Sequence, residues 1–336
     1  MDPRIPTAVT RLWRLLLVAC LCTLTACATT GGDGLRGKVV VLTGASSGFG
    51  RAVALKAADR GATVVLAARR ADVLQQLERE IAARGGRALA VPTDVAREED
   101  MARLAETALA RYGRIDVWVN NAGVGALGAF DQVPLADHRR IIDVNVGGVL
   151  IGSHVALRQF RRQGAGTLVN IGSVTSKVPQ PYYASYTASK HAVLGFGLAL
   201  HQELRLQKAR GIRVATVLPF AADTPFWDHA ATYNGRAPRM VLMDTADEVA
   251  EAIVATMLRP RKQVSVGFKA KLAVLAHQLA PAPSQYLIGE VMQAVQSRAP
   301  PAAPTAGAVH TPVPQGTGSE GGHRGWLRRE GRRPPR

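Results

Sequence analysis

Thr43-Gly44-Ala45-Ser46-Ser47-Gly48-Phe49-Gly50 stands directly after the apolar run Val39-Val40-Val41-Leu42 and leads into an amphipathic stretch from Arg51. Glycines in that setting let the backbone turn tightly and approach a pyrophosphate, while a helix beginning beyond them presents free N–H groups and a positive dipole to it. A glycine triplet alone is a weak signal. The strand before it and the helix after it are the context that gives it meaning.

The same alternation continues outward. Short β-branched runs recur at Thr63–Leu66, Ala88–Val91, Ile115–Val119, Thr167–Ile171, Ile212–Val217 and Val264–Val266. Between them lie stretches such as Val73–Ala83 and Met101–Tyr112, whose apolar residues fall at helical spacing. Parallel strands need crossover connections, so seven such runs separated by helices predict an α/β fold. The expectation is a single Rossmann-like, doubly wound domain with a seven-stranded parallel sheet over residues 38–267. A C-terminal helical extension follows over 268–297, in two segments near Lys269–Leu279 and Ser284–Ser297 split by Pro281 and Pro283. These helices either cap the substrate side of the sheet or lie on a membrane surface.

About twenty residues beyond the glycines, the second strand ends in Ala67-Ala68-Arg69-Arg70. A carboxylate there would accept from a ribose 2′-hydroxyl; two guanidinium groups suit a 2′-phosphate instead. NADP(H) is therefore the cofactor expected, unless Arg69 and Arg70 merely begin a solvated helix. At the chemical end, Tyr186-Thr187-Ala188-Ser189-Lys190 places a phenol and an ammonium on one helix face. A free phenol has a pKa of about 10 and is a poor base at neutral pH, and a nearby cation would lower it. Ser173 follows the fifth strand, where strand ends line a ligand crevice, and its hydroxyl could hold a carbonyl beside Tyr186.

Together these residues resemble the short-chain dehydrogenase/reductase family, in the subclass with TGxxxGxG and YxxxK motifs. Thr43–Gly50 matches the first motif, Asn120-Asn121-Ala122-Gly123 matches NNAG, and Ser173, Tyr186 and Lys190 match the catalytic set in order and spacing. The resemblance implies hydride transfer between a nicotinamide and an alcohol or carbonyl carbon, with Tyr186 moving the proton and Lys190 also holding the nicotinamide ribose. Asn145 sits where the family has its fourth catalytic residue, in a water-linked proton path. Cofactor contacts are implied for Gly44, Ser46, Ser47, Gly48, Phe49 and Gly50, for Asp94 and Val95 at the adenine, and for Asn121, Ala122 and Gly123 along the adenosine. Pro219 and Thr224 would flank the carboxamide. Here the sequence departs from the family: Pro219 is followed by Phe220 where Pro-Gly is usual. Pairing into a homodimer or homotetramer is implied by the resemblance alone.

Composition bounds the rest. The net charge is +17, yet Arg298–Arg336 holds seven arginines against two acidic residues, net +5, leaving +12 on the remaining chain. No aromatic-and-basic stripe accompanies it, so a solvated basic face is favoured over a nucleic-acid partner. All three cysteines, Cys20, Cys22 and Cys27, fall in the first 27 residues, which leaves the body without a disulfide or a cysteine-based metal site, and no metal is expected. Arg4, Arg11 and Arg14, the apolar run Leu15–Ala26 and Leu24-Thr25-Ala26-Cys27 read as a secretory signal with a lipobox, over residues 1–27. An uncleaved anchor or an upstream extension remains open; membrane association through Cys27 and a cytoplasmic enzyme are the two resulting localisations. Residues 28–37 read as a linker, and 298–336, rich in Pro, Gly and Arg, as a disordered basic tail.

Phe220, Phe226, Trp227 and Tyr233 lie between Pro219 and Met243, and suggest an apolar substrate under a mobile loop or simple loop packing. Beside an active alcohol/carbonyl oxidoreductase, two other functions stay open. One is a catalytically silent NADP(H)-binding regulator, the other a membrane-tethered interaction protein.

Overall fold

The valine- and leucine-rich runs become strands buried on both faces. In the computed structural model, which describes residues 34–329, the strands are β1 Val39–Thr43, β2 Thr63–Ala68, β3 Arg87–Pro92, β4 Val117–Asn120, β5 Gly166–Ile171, β6 Ile212–Leu218 and β7 Gln263–Ser265. All pair in parallel, in the order β3-β2-β1-β4-β5-β6-β7. Every residue of β1 and β2 is buried, as strands covered on both faces must be. The pleat sends Val40, Leu42, Val64 and Leu66 into one core layer and Val39, Val41, Val65 and Trp118 into the other.

The first layer is closed by α1 Gly48–Asp59 and α2 Ala71–Ala83, through Val53, Ala57, Leu74 and Leu77, and the second by α3 Glu98–Tyr112, through Met101 and Leu104. Helix α4 Leu135–Ile142 passes through a π-helical turn, Asp143–Gly147, into α5 Gly148–Gln163. The long helix α6 Ala184–Leu206 follows, and α7 Ala246–Leu258 returns to the first layer. Helix α7 starts at a capping box in which Thr245 Oγ1 accepts from Glu248 N at 3.1 Å and the Glu248 carboxylate accepts from Thr245 N at 2.9 Å. Helices α8 Gly267–Leu279 and α9 Pro281–Arg298 form the expected C-terminal extension. Strand order reverses between β1 and β4, the switch point where an open sheet of this kind leaves a crevice at its carboxyl edge.

Two boundaries differ from the sequence reading. Leu35 is buried and Gly37 N donates to Gly61 O at 3.1 Å, so the chain joins the fold at the end of the supposed linker. The larger correction concerns the tail. Residues 299–329 are folded against the domain: Val309 and Trp326 are buried, Thr232 bridges to Thr305, and Trp326 Nε1 donates to Met240 O at 2.7 Å. A segment with few apolar residues is held here by two widely spaced anchors and by backbone hydrogen bonds, which composition does not register. The leader-like segment with Cys20, Cys22 and Cys27 lies outside the described residues, as does the chain after Arg329.

Candidate active site

The turn after β1 brings its glycines against the turn after β4. Gly44 has φ +67°, and a Cβ on it would stand 2.8 Å from Ala122 Cα; a Cβ on Gly50 would stand 2.0 Å from the Gly44 carbonyl oxygen. Both positions therefore require glycine. Asn121 locks the two turns together, donating from Nδ2 to Thr43 O at 2.9 Å, while Thr43 Oγ1 accepts from Asn121 N and Ala122 N at 3.0 and 3.2 Å. The Ser47 side chain makes no capping hydrogen bond at the start of α1. A tight glycine cradle at a helix N-terminus without a side-chain cap fits a pyrophosphate.

At the other end of the same cavity, of about 260 Å³, lie Ser173, Tyr186 and Lys190. Lys190 is buried, its Nζ donates to Ile171 O at 2.9 Å and lies 5.5 Å from the Tyr186 ring centroid. The Tyr186 hydroxyl lies within reach of the Ser173 side chain. Ser173 is itself fixed at the start of a 3₁₀ turn, Val174–Ser176, where its Oγ accepts from Thr175 N at 3.2 Å. Asn145, on the π-helical turn, is fully buried; its Nδ2 donates to Val124 O at 2.9 Å and Ser189 Oγ at 3.0 Å, and its Oδ1 accepts from Val124 N at 2.9 Å. It ties the turn after β4 to α6 one residue before Lys190. π-turns are rare insertions that often mark functional sites.

A glycine cradle at one end of a single cleft and a Ser–Tyr–Lys set at the other coincide with a family-level match: the short chain dehydrogenase model matches residues 38–234. The chain belongs to the short-chain dehydrogenase family. An oxidoreductase of Bacillus subtilis, YxnA, is 33% identical over 297 residues, covering 88% of this chain and 83% of the relative. A 3beta-hydroxysteroid dehydrogenase of Eggerthella lenta is 38% identical over 196 residues, 57% of this chain and 74% of the relative. Among solved structures, a 3-ketoacyl-(acyl-carrier-protein) reductase from Brucella melitensis complexed with NADH superposes with a TM-score of 0.59 at 30% identity, over 69% of this chain and 97% of that one. An alcohol dehydrogenase from Thermococcus sibiricus complexed with 5-hydroxy-NADP gives 0.58 at 28% identity, over 68% and 95%. This short-chain dehydrogenase is thus an oxidoreductase acting between CH–OH and C=O, with a nicotinamide cofactor.

The residues expected to bind cofactor or substrate line the cavity, apart from Tyr233 and from Gly50 and Asn145, which shape its wall from behind. Several are engaged in ways the sequence did not suggest. Arg69 donates to Ala308 O at 2.5 Å and His310 O at 2.8 Å; Arg70 donates to Val313 O at 3.2 Å, Gln315 O at 3.0 Å and Ser46 Oγ at 3.1 Å. Gly48 N donates to Gly318 O at 2.9 Å. The folded tail therefore crosses the adenosine end of the cleft, and burial lowers the pKa of both arginines. Asp94 pairs with Arg140 and accepts from Ala96 N at 3.1 Å.

The expectation that Lys190 pulls the Tyr186 pKa down is corrected. Burial dominates and pushes Tyr186 up to about 12, with only Ser173 acting downward. Burial likewise lowers Lys190 to about 8.

The substrate end is apolar. Phe226 packs against Tyr186 with ring centroids 5.6 Å apart, and Phe220, Trp227, Met240 and Tyr183 complete the wall. Tyr233 belongs elsewhere: its hydroxyl donates to Asp137 Oδ2 at 2.5 Å. Tyr183 escaped the sequence reading although it stands three residues before Tyr186. Its hydroxyl is buried without a hydrogen-bond partner, and burial raises its pKa.

Proposed function

We propose that this short-chain dehydrogenase is an NADP(H)-dependent oxidoreductase for an apolar secondary alcohol or its ketone, with Tyr186 as general acid and base. The observation that carries the reading is the convergence of Tyr186, Ser173 and Lys190 at the apolar end of a cleft whose far end holds Arg69 and Arg70. Ala68 stands where a ribose-binding carboxylate would favour NAD, and guanidinium groups match a 2′-phosphate. The relatives are consistent with either nucleotide, since one solved neighbour holds NADH and the other 5-hydroxy-NADP.

The bound nicotinamide supplies or accepts the hydride. Ser173 Oγ and the Tyr186 hydroxyl, side by side in the cavity, present a donor pair to a substrate oxygen. With its pKa raised by burial, Tyr186 keeps its proton across neutral pH and is set to donate it to the oxyanion that forms as a ketone is reduced. In the reverse direction Tyr186 must accept the alcohol proton, and the buried ammonium of Lys190 then stabilises the phenolate in a low-dielectric setting. Asn145 is a positioning residue that holds the Val124 backbone and Ser189. The apolar wall of Phe226, Trp227 and Met240 selects a substrate with an extended hydrocarbon body.

Titrating the full chain with NADPH and NADH tests the cofactor half of this reading. NADPH should bind more tightly, and Arg69→Ala with Arg70→Ala should erase the difference. Equal affinities in the unsubstituted protein would instead point to a cofactor site in which the tail carbonyls keep both arginines from the phosphate.

A further inference from the structure

Half of the exposed large apolar side chains among the described residues lie on α8 and α9. Phe268, Leu272, Leu275 and Leu279 follow one another at helical spacing along α8 and are 75%, 50%, 51% and 77% exposed; Tyr286 and Leu287 open α9 at 74% and 63%. Single exposed apolar residues are ordinary, but a stripe of this size marks an interaction surface. Its opposite side is already used: Ala270 and Val274 of α8 are buried, and Met292 and Val295 of α9 pack in the cluster that contains Tyr183, Trp227 and Tyr186. The exposed stripe is thus surplus to the fold.

The charges show what it fits. Residues 272–289, which include the turn at Ala280 and the prolines 281 and 283, contain no Asp, Glu, Lys or Arg. On α8 below that uncharged tip stand Lys271, which is exposed, and Lys269, which pairs with Asp244; Glu290 follows the tip on α9, and the exposed Arg259, Arg261 and Lys262 precede β7. Lys271 precedes Leu279 by eight residues, about 12 Å along a helix. An apolar tip with tyrosine at its shoulder and a lysine about one headgroup layer behind is the profile of an interfacial wedge. A protein groove would have to bury the tip while matching four exposed cations, Arg259, Arg261, Lys262 and Lys271, with acid, whereas an anionic membrane does both with one surface.

We infer that the α8–α9 hairpin docks on a lipid surface bearing anionic headgroups, its tip among the acyl chains and its base cations at the phosphates. The inference needs no lipid on Cys27 and holds whatever substrate the site takes. Because α9 also forms part of the apolar cluster beside Tyr186, docking sets the substrate end of the enzyme close to the bilayer.

A depth-sensitive probe on the full chain tests it. With Cys20→Ser, Cys22→Ser and Cys27→Ser, a single Leu275→Cys carries an environment-sensitive fluorophore; a control carries it at Gln76→Cys on α2, next to the opposite sheet edge. On phosphatidylglycerol–phosphatidylcholine vesicles the label at position 275 should shift to the blue and be quenched by a lipid-borne nitroxide, while the control label stays unchanged. Arg261→Glu with Lys271→Glu, both at exposed positions, should weaken vesicle binding about tenfold or more. The inference is overturned if the position 275 label ignores the vesicles. It is equally overturned if that label is already in apolar surroundings without them, which would mean that residues 1–33 or a second copy cover the stripe. Undiminished binding by the charge variant would remove the anionic partner.

Discussion

Replacing Lys190 by methionine should make the cofactor-free protein more stable at pH 7 while abolishing its activity. Lys190 is buried, and its pKa falls from 10.5 to about 8 through desolvation. A fall of that size disfavours the folded, protonated form by about 3 kcal/mol. Methionine keeps the length of the side chain and removes the charge, as in other cases where a buried ion is replaced by an apolar isostere. The hydrogen bond from the charged ammonium to Ile171 O is lost as well, which offsets about 1.5–3 kcal/mol. A net gain of about 0.5–2 kcal/mol remains. Its pH dependence has a definite sign. Between pH 8 and 10.5 the unfolded chain holds the Lys190 proton more tightly than the folded one, so the stability of the parent rises with pH in that window. The variant has no such term, and the gap should close by about pH 10.5. Urea unfolding of both proteins without nucleotide, at pH 7 and again near pH 10, measures the gap directly. A variant less stable than the parent at pH 7, or a gain that does not change with pH, would refute the assignment of Lys190 as a buried cation.

Gly50→Ala places a Cβ against the Gly44 carbonyl, a backbone atom that cannot move aside. It should cost about 1–3 kcal/mol and weaken nucleotide binding, so an unchanged Tm and unchanged NADPH titration would count against the cradle. Trp326→Ala removes the buried anchor at the end of the tail, a loss of about 3–5 kcal/mol for a core tryptophan. Limited proteolysis between residues 310 and 325 should then accelerate sharply, and identical cleavage in the two proteins would mean that the tail is held some other way.

The sheet was legible because its signal is local. Val39–Leu42 and Val64–Leu66 are apolar throughout, which is what a strand covered on both faces demands, and all seven runs became strands near the positions expected. Gly44 and Gly50 were legible for a similar reason, since a close backbone approach leaves only one residue type possible. What escaped was set by distant partners. Arg69 and Arg70 meet carbonyl groups of a segment about 240 residues away, and carbonyls carry no letter. Trp326 lies in a stretch whose Pro, Gly and Arg content reads as disorder, yet it is buried in the cluster with Met240 and Leu327. The Tyr186 pKa was misjudged because spacing discloses that Lys190 is near but not how dry the site is, and dryness outweighs the cation. Asp94 in Thr93-Asp94-Val95 is expected at the adenine by resemblance, and only the fold brings Arg140 to it.

The account rests on proton transfer by Tyr186 during hydride transfer, and NADPH oxidation in the presence of apolar ketones, followed by absorbance for the parent and for Tyr186→Phe, addresses that step. The parent should turn over at least one ketone with a bulky hydrocarbon body. The variant should bind NADPH as the parent does yet react about 10²–10⁴-fold more slowly, the range for loss of a general acid. A variant that reduces the ketone at the parental rate would contradict the account.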